Sequence, residues 1–273
     1  MDTPPAQVIV ITGASDGIGA GLARQWAARH GAACALVLAA RSRDKLEQVA
    51  AGCRRHGAAV LVQPCDIADQ AQCRALVEAA VARFGRLDTL VNNAGMSAHA
   101  AFEEVKDLAW YETLMRINLW GAVWCTQAAL PHLKASRGRL VAVSSLAGLV
   151  GVPGRTAYSA TKFALTGFFE ALRVELAPQG VSVTIAYPGV VATQIRYRGF
   201  DAQGRPAGRS GLDERGAMSV DTCARLILQG TQQRQREIVM TAKGKLGRWL
   251  KLLAPGVVDR LALKALNREA HTP

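Results

Sequence analysis

Short apolar runs alternate with longer amphipathic segments along most of the chain from Val8 onward. The apolar runs predict seven strands, at residues 8–12, 33–39, 59–63, 89–91, 139–144, 182–187 and 237–240. The amphipathic segments predict helices at residues 17–30, 43–56, 69–84, 108–132, 157–177 and 220–232. This alternation is typical of repeated βαβ units. The sequence therefore predicts an α/β fold, a doubly wound parallel sheet of about seven strands flanked by helices, with ligands bound beyond the carboxyl ends of the strands.

Two segments depart from this pattern. Residues 195–218 are rich in glycine and arginine and have no apolar period, which predicts a substrate loop or lid. From Gly247 onward the apolar spacing returns and is broken by Pro255 and Gly256, so we expect two short basic amphipathic helices there. The predicted organisation is one domain at residues 1–242, which includes the lid, and a basic C-terminal extension at residues 243–273.

The composition is that of a globular protein with one core, since half of the 273 residues are apolar. The six cysteines form no CxxC pair and have no zinc-site spacing to histidine, so we predict no metal site. The first residues lack a basic stretch followed by an apolar run, and no run is long enough to span a membrane. We therefore expect a cytoplasmic location.

The charge is unevenly distributed. The whole chain carries a formal charge of +12, and residues 243–273 hold seven Lys and Arg against two acidic residues, a net +5. Such a tail points to an anionic partner, either a lipid surface or a phosphorylated substrate, and predicts a peripheral membrane contact. Packing of its apolar face against a partner subunit is the alternative. No aromatic-interleaved basic motif accompanies the charge, so we do not expect nucleic acid as a partner.

A glycine-rich motif, TGASDGIG at residues 12–19, lies between the first strand and the first helix. Glycines in this place let the backbone approach a pyrophosphate, which then faces the free N–H groups at the start of the helix. The candidate contacts are Gly13, Ser15, Asp16, Gly17, Ile18 and Gly19. An ordinary strand-to-helix turn is the alternative, which the motif alone does not exclude.

The end of the second strand discriminates between the two nicotinamide coenzymes. An acidic residue there binds the ribose hydroxyls of NAD, whereas an arginine accommodates the 2′-phosphate of NADP. Here the strand ends in Ala39 and Ala40 and is followed by Arg41 and Ser42, which favours NADP(H) over NAD(H). The competing interpretation is that these are surface charges at the start of a helix.

Tyr158 and Lys162 lie four residues apart in a predicted helix, which places them on one face. A nearby ammonium favours the phenolate form of tyrosine and so suits it to acid/base catalysis. The spacing alone is common, but Ser145 and residues 92–95 (Asn-Asn-Ala-Gly) also follow predicted strands. Because the carboxyl ends of parallel strands meet at one edge of a sheet, one ligand can contact all of these groups.

With these motifs the chain resembles the short-chain dehydrogenase/reductases, whose fold is Rossmann-like, from Val8 to Met240. The resemblance implies that Ser145 hydrogen-bonds the substrate oxygen, that Tyr158 is the acid/base, and that Lys162 supports Tyr158 and holds the coenzyme ribose. It implies that Asn118 holds a water that relays protons to Lys162. It also assigns coenzyme contacts to Asp66, Ile67, Asn93, Ala94, Gly95, Pro188, Gly189, Val191 and Thr193. Asp16 departs from the pattern, since many NADP-preferring members have a basic residue at that position.

The resemblance implies an oxidoreductase that transfers hydride between a nicotinamide and a carbonyl or secondary alcohol. Within the family, residues 144–148 and 157–169 look like the branch that contains vertebrate hydroxysteroid dehydrogenases. The tail, through residues 252–256, looks like members linked to acyl- or alkyl-dihydroxyacetone-phosphate reduction. Both favour a bulky apolar or lipid-like ketone as the small-molecule substrate. Family members commonly pair through the helices at 108–132 and 157–177, which predicts a homodimer or homotetramer. A coenzyme-binding sensor without turnover, or a membrane-surface scaffold, is the alternative.

Overall fold

The computed structural model of the chain describes residues 5–210 and 214–270, with side chains up to residue 264. Seven parallel strands form one sheet in the order β3-β2-β1-β4-β5-β6-β7. They are β1 (Gln7–Thr12), β2 (Cys34–Ala40), β3 (Ala59–Pro64), β4 (Thr89–Asn92), β5 (Arg139–Val143), β6 (Ser182–Tyr187) and β7 (Glu237–Val239). This order confirms the predicted doubly wound sheet, and it leaves a crevice where the chain reverses direction between β1 and β4.

Nine helices are present in the described part of the chain. They are α1 (Gly17–His30), α2 (Arg43–Arg54), α3 (Gln70–Phe84), α4 (Ala109–Met115), α5 (Gly121–Ser136), α6 (Thr156–Leu176), α7 (Val220–Gln232), α8 (Ala242–Leu253) and α9 (Pro255–Ala270). None of them is long and apolar enough to cross a membrane.

Apart from a few end residues, the residues of the central strands are buried on one face of the sheet or the other. Ile9 and Ile11 of β1 pack in the layer of α1, α2 and α7, whereas Val8 and Val10 pack in the layer of α3, α5 and α6. Burial on both faces explains why these strands appear in the sequence as continuous apolar runs.

The predicted helix boundaries agree closely with the structure where a side chain caps the helix. The Ser219 hydroxyl accepts a hydrogen bond from the N–H of Thr222 at 3.1 Å, and α7 covers the predicted residues 220–232. Asp69 caps α3 in the same way, through the N–H of Gln72 at 3.1 Å. These local contacts explain why the boundaries were predictable.

Two helix predictions were wrong in detail. The helix predicted at residues 108–132 is two helices, α4 and α5, joined by a π-helical turn at Arg116–Trp120, and α5 continues to Ser136. The first tail helix begins at Ala242, five residues before Gly247, because the Thr241 hydroxyl caps it through the N–H of Gly244 at 3.0 Å. The tail does form two helices, as expected.

The predicted lid has no helix or strand in its described parts, residues 195–210 and 214–218. It is held by isolated bridges, of Phe200 to Ala98 and of Met218 to Val191. Gly211 of the lid lies outside the described residues, as do the side chains of Leu266, Arg268 and Glu269 in the tail.

The first turn of α5 approaches the loop after β3 so closely that only glycine fits. A Cβ on Gly121 would lie 2.6 Å from the backbone oxygen of Ile67. We expect Gly121→Ala to lower the free energy of unfolding by about 1–3 kcal/mol, the usual cost of overpacking. Gly52→Ala in α2, where the nearest atom is 3.7 Å away, should instead raise it by up to about 1 kcal/mol. Urea unfolding measures both, and equal effects would contradict the packing argument.

Candidate active site

A cleft of about 620 Å³ runs along the carboxyl edge of the sheet. Of the residues predicted to form the site, those that line it are Gly13, Ser15, Asp16, Gly17, Ile18, Arg41, Ser42, Asp66, Ile67, Asn93, Ala94, Gly95, Ser145, Tyr158, Lys162, Pro188, Gly189, Val191 and Thr193. Gly19 and Asn118 do not line it. The fold thus brings residues from almost the whole chain to one surface.

The glycine-rich turn is shaped by close contacts that a side chain would block. Gly13 has φ +66°, and a Cβ there would lie 2.8 Å from the Cα of Ala94. Gly17 has φ +51° and begins α1. Gly19 faces inward, where a Cβ would overlap the backbone oxygen of Gly13. Gly19 therefore lets α1 pack against the turn. Its predicted role as a ligand contact is indirect, since it shapes the turn but does not line the cleft.

Thr12 ties this turn to the end of β4. Its hydroxyl accepts hydrogen bonds from the backbone N–H groups of Asn93 and Ala94, both at 3.0 Å, and donates to the carbonyl of Val91. The Asn93 amide donates back to the Thr12 carbonyl at 2.9 Å. These bonds fix the spacing of the two loops that form the floor of the cleft. The sequence analysis did not assign Thr12 to the site, because its partners are about eighty residues away.

The cleft is cationic beside the end of β2. Arg41, Ser42 and Lys45 all line it there. Arg43 does not, since its guanidinium approaches Glu47 at 4.0 Å on the exposed side of α2. An anionic group bound at this end would therefore meet two cations and a hydroxyl, the donor set that suits a phosphate.

Asp16 lies where an acidic side chain would repel a phosphate, but its carboxylate is already paired with a helix N-terminus and an arginine. One carboxylate oxygen accepts the N–H of Gly17 at 2.7 Å, at the positive end of α1. The other pairs with Arg198 of the lid at 2.8 Å. Arg198 also lines the cleft. The sequence analysis missed Arg198, because nothing local indicates which arginine of the lid reaches the glycine-rich turn.

Lys162 is buried, with 4% of its surface exposed, and its ammonium donates to the backbone carbonyl of Val143 at 3.0 Å. Burial lowers the pKa of Lys162, while the electrostatic attraction of Tyr158 acts in the opposite direction. The ammonium lies 5.7 Å from the centroid of the Tyr158 ring. Lysine and tyrosine therefore meet on one face of α6, as their spacing predicts.

Arg155 approaches the same ring. Its guanidinium carbon lies 4.5 Å from the Tyr158 centroid, and it donates to the Ala98 carbonyl at 3.2 Å and to the Ser97 hydroxyl. Two positive groups thus lie beside the Tyr158 ring, each within the range of a cation–π contact. The sequence analysis did not identify Arg155. Its place just before α6, three residues ahead of Tyr158, was the available signal.

The two serines at the end of β5 have different surroundings. The Ser144 hydroxyl is buried and donates to the backbone carbonyl of Lys162 at 3.3 Å, with Thr166 as a further partner at 3.2 Å. Ser145 lines the cleft, and its hydroxyl accepts the N–H of Ala147 at 3.2 Å. A hydroxyl that accepts still has its own proton to donate, so Ser145 can hydrogen-bond a ligand oxygen beside Tyr158.

Asn118 lies in the π-helical turn, behind the cleft. Its amide donates to the Met96 carbonyl at 2.9 Å and to the Thr161 hydroxyl at 3.0 Å, and its oxygen accepts the Met96 N–H at 2.7 Å. These three bonds join the end of β4 to α6, one residue from Lys162. The side chain therefore has a positioning role in the structure, and the predicted water relay stays a prediction.

The segment after β6 completes the cleft. Gly189 lies against Thr241, and Thr193 lies against Gly17 across the opening.

Within the described part of the chain, no three His, Cys, Asp or Glu side chains converge as they would around a metal ion. All six cysteines are buried free thiols.

Comparisons with known proteins agree with this geometry. The family model described as short chain dehydrogenase matches residues 7–203. The chain is 38% identical to 11-beta-hydroxysteroid dehydrogenase A of Sesamum indicum in an alignment of 259 residues that covers 93% of this chain and 73% of that protein. It is 35% identical to 11-beta-hydroxysteroid dehydrogenase-like 2 of Arabidopsis thaliana, over 93% of this chain and 80% of that one.

A solved structure is also similar. It is an alcohol dehydrogenase from the archaeon Thermococcus sibiricus, complexed with 5-hydroxy-NADP. It is 26% identical, with a TM-score of 0.72, over 85% of this chain and 94% of that chain. The similarity supports the Rossmann-like architecture of the sheet.

Proposed function

The chain belongs to the short-chain dehydrogenase family, and from this premise we propose that it is an NADP(H)-dependent oxidoreductase that interconverts a ketone and a secondary alcohol. The observation that carries the proposal is the convergence of Ser145, Tyr158 and Lys162 at one end of a cleft whose other end is cationic. A protein that only bound the coenzyme would have no need of this arrangement.

The residues of the cleft fit NADP(H). The turn at Gly13 and Gly17 leaves room for a pyrophosphate at the start of α1. Arg41, Ser42 and Lys45 would hold the 2′-phosphate. Asp66 and Ile67 would flank the adenine, residues 93–95 and Lys162 the ribose, and the segment at residues 188–193 the nicotinamide. The archaeal alcohol dehydrogenase, whose structure contains an NADP derivative, supports the same choice.

The chain's own residues account for the movement of the proton. A substrate carbonyl at Ser145 would accept a hydrogen bond from its hydroxyl, which stabilises the negative charge that develops on the oxygen. Tyr158 gives that oxygen its phenolic proton and becomes a phenolate beside Lys162 and Arg155. When bound, NADPH supplies the hydride that reduces the carbonyl carbon. The reverse sequence oxidises the alcohol.

We assign a bulky apolar or lipid-like ketone as the substrate. The relatives named 11-beta-hydroxysteroid dehydrogenases support this class. Leu146, Ala147, Val152 and Ile195 line the cleft around Ser145 and Tyr158 and give it an apolar surface. Such a surface favours a large apolar substrate over a small polar one.

We also propose a homodimer or homotetramer formed through α5 and α6. Trp120, beside α5, and Phe163 and Val174 of α6 are apolar side chains exposed at 47%, 37% and 72%. Apolar groups exposed along two neighbouring helices are typical of a subunit interface.

The tail, which we treat as an extension of the domain at residues 1–242, has an apolar outer face. Trp249, Leu252 and Leu253 are exposed at 61%, 69% and 82%. The exposed Lys243 and Lys245 lie on the same helix. Apolar side chains flanked by cations suit the surface of an anionic bilayer better than a neutral partner. We therefore propose a cytoplasmic enzyme that contacts the membrane peripherally through α8.

Tyr158→Phe should lower kcat by a factor of about 10² or more, the scale of general acid catalysis, because it removes the proton donor and little else. The dissociation constant of NADPH, measured by fluorescence titration, should stay nearly unchanged. Unchanged turnover in the variant would refute the acid/base role. Absence of turnover by the wild type across a wide panel of ketones, with NADPH still bound, would favour the sensor.

Arg41→Ala should weaken NADPH binding by roughly tenfold and leave NADH binding almost unchanged, because only NADPH has a phosphate for this guanidinium. Arg43→Ala is the matched control, since Arg43 faces Glu47 and not the cleft. Titration of both variants with both coenzymes tests the assignment. Equal losses for NADPH and NADH in Arg41→Ala would point to a packing role instead.

A variant with Trp249, Leu252 and Leu253 all changed to Gln should bind anionic vesicles at least roughly tenfold more weakly, since each buried leucine contributes about 1.5–3 kcal/mol. Phe102→Gln removes an exposed apolar side chain far from the tail and should have no effect. Co-sedimentation with phosphatidylserine vesicles measures the binding. If the wild type ignores vesicles and the tail variant dissociates into monomers, the outer face is a subunit interface.

A further inference from the structure

A second cavity, the annex, lies beside the substrate end of the cleft. It has a volume of about 300 Å³ and lies between the loop at residues 146–152 and the two tail helices. Its lining is apolar or glycine, apart from Lys243. The annex is partly open to the surface, and an apolar pocket of this kind binds a ligand by removing apolar area from water. The annex is therefore suited to hydrocarbon.

Glycines shape the side of the annex that α8 forms. At Gly244 an added side chain would overlap Leu146, so this glycine lets the helix pack closely. At Gly247, one turn further, an added Cβ would meet no atom within 4 Å, although the residue lines the annex. Glycine is less favourable than alanine inside a helix. At Gly247 the absence of a side chain leaves this part of the annex unfilled.

The position of α8 over the annex is fixed by polar contacts at its C-terminal half. The Lys251 ammonium donates to the Leu149 carbonyl at 3.0 Å and lies 4.6 Å from the centroid of the Phe163 ring. Arg248 forms an ion pair with Glu237 of β7. The tail helix is thus attached to the loop and to the sheet on both sides of the cavity.

The annex and the cleft share two walls. Leu146 and Val152 line both cavities. Leu146 directly follows Ser145, so its side chain belongs to the wall between a carbonyl bound at Ser145 and the annex. A change of leucine rotamer is a small movement compared with a shift of backbone. A flexible chain can adjust to the side chains of this shared wall, whereas a rigid fused-ring system cannot bend around them.

We propose that the annex binds the hydrocarbon chain of the substrate, which makes the substrate a ketone with a long, flexible alkyl or acyl chain. This rests on the proposed function, since it places the carbonyl at Ser145 and Tyr158. It identifies Leu146, Gly247 and the inner faces of α8 and α9 as determinants of chain length.

The experiment is a series of methyl ketones, from butanone to chains of about twelve carbons, reduced with NADPH by the full-length protein. For the wild type we expect kcat/KM to rise by about three- to fourfold per methylene, the factor for burying one methylene, until the annex is filled. Gly247→Leu should remove most of this rise and leave butanone unaffected. Ala262→Phe, which fills the annex from α9, should do the same.

Gly256→Leu is the matched control, because an added Cβ there also meets no atom within 4 Å but the residue does not line the annex. It should leave the series unchanged. A flat series in the wild type, or an undiminished chain-length effect in both folded annex variants, would overturn the proposal. Calorimetric binding of the longest ketone, compared between wild type and Gly247→Leu, needs no turnover. It therefore tests the annex even if the proposed reaction is wrong.

Discussion

The ammonium group of Lys162 is buried away from water, and much of the site offsets the free-energy cost of burying this charge. A buried charge is tolerated only when it is hydrogen-bonded or paired. The Val143 carbonyl supplies one partner at the end of β5, and the Tyr158 ring lies beside it. The segment of α6 that carries both residues is held in turn by Ser144 and by Asn118, through Lys162 and Thr161. Strand, π-helical turn and helix therefore meet around the buried cation, through its own bond to β5 and through the bonds of Ser144 and Asn118 to α6.

The electrostatics of the cleft differ at its two ends. Beside β2 the cations face solvent and are free to meet a phosphate, whereas beside α6 they are buried against an aromatic ring. Between these ends Asp16 places an acid beside the glycine-rich turn, and Arg198 offsets it. This pair explains how a motif with an acidic residue at that position remains compatible with an anionic ligand. It also connects the lid to the turn, so that the lid takes part in the charge balance of the cleft.

The sequence predicted those features that depend on local or periodic contacts. The strands were predictable because both faces of the sheet are buried, and α7 was predictable because Ser219 caps it. The motif residues of the cleft were predictable because parallel strands end at one edge. The contributions of Thr12, Arg155 and Arg198 depend on partners far away in the chain, which no periodicity reveals. The break between α4 and α5 was missed because the extra residue of a π-turn leaves the apolar pattern nearly intact.

The helix α8 has two apolar faces with different surroundings. Its inner face, with Gly247 and Leu250, lines the annex, while Trp249, Leu252 and Leu253 point outward. A lipid-like ketone would partition into a bilayer, so an enzyme resting on that bilayer through α8 would encounter it there and not in water. The quantity that sets the rate would then be the mole fraction of ketone in the membrane. Added inert lipid would slow the reaction by surface dilution, although the total amount of substrate had not changed.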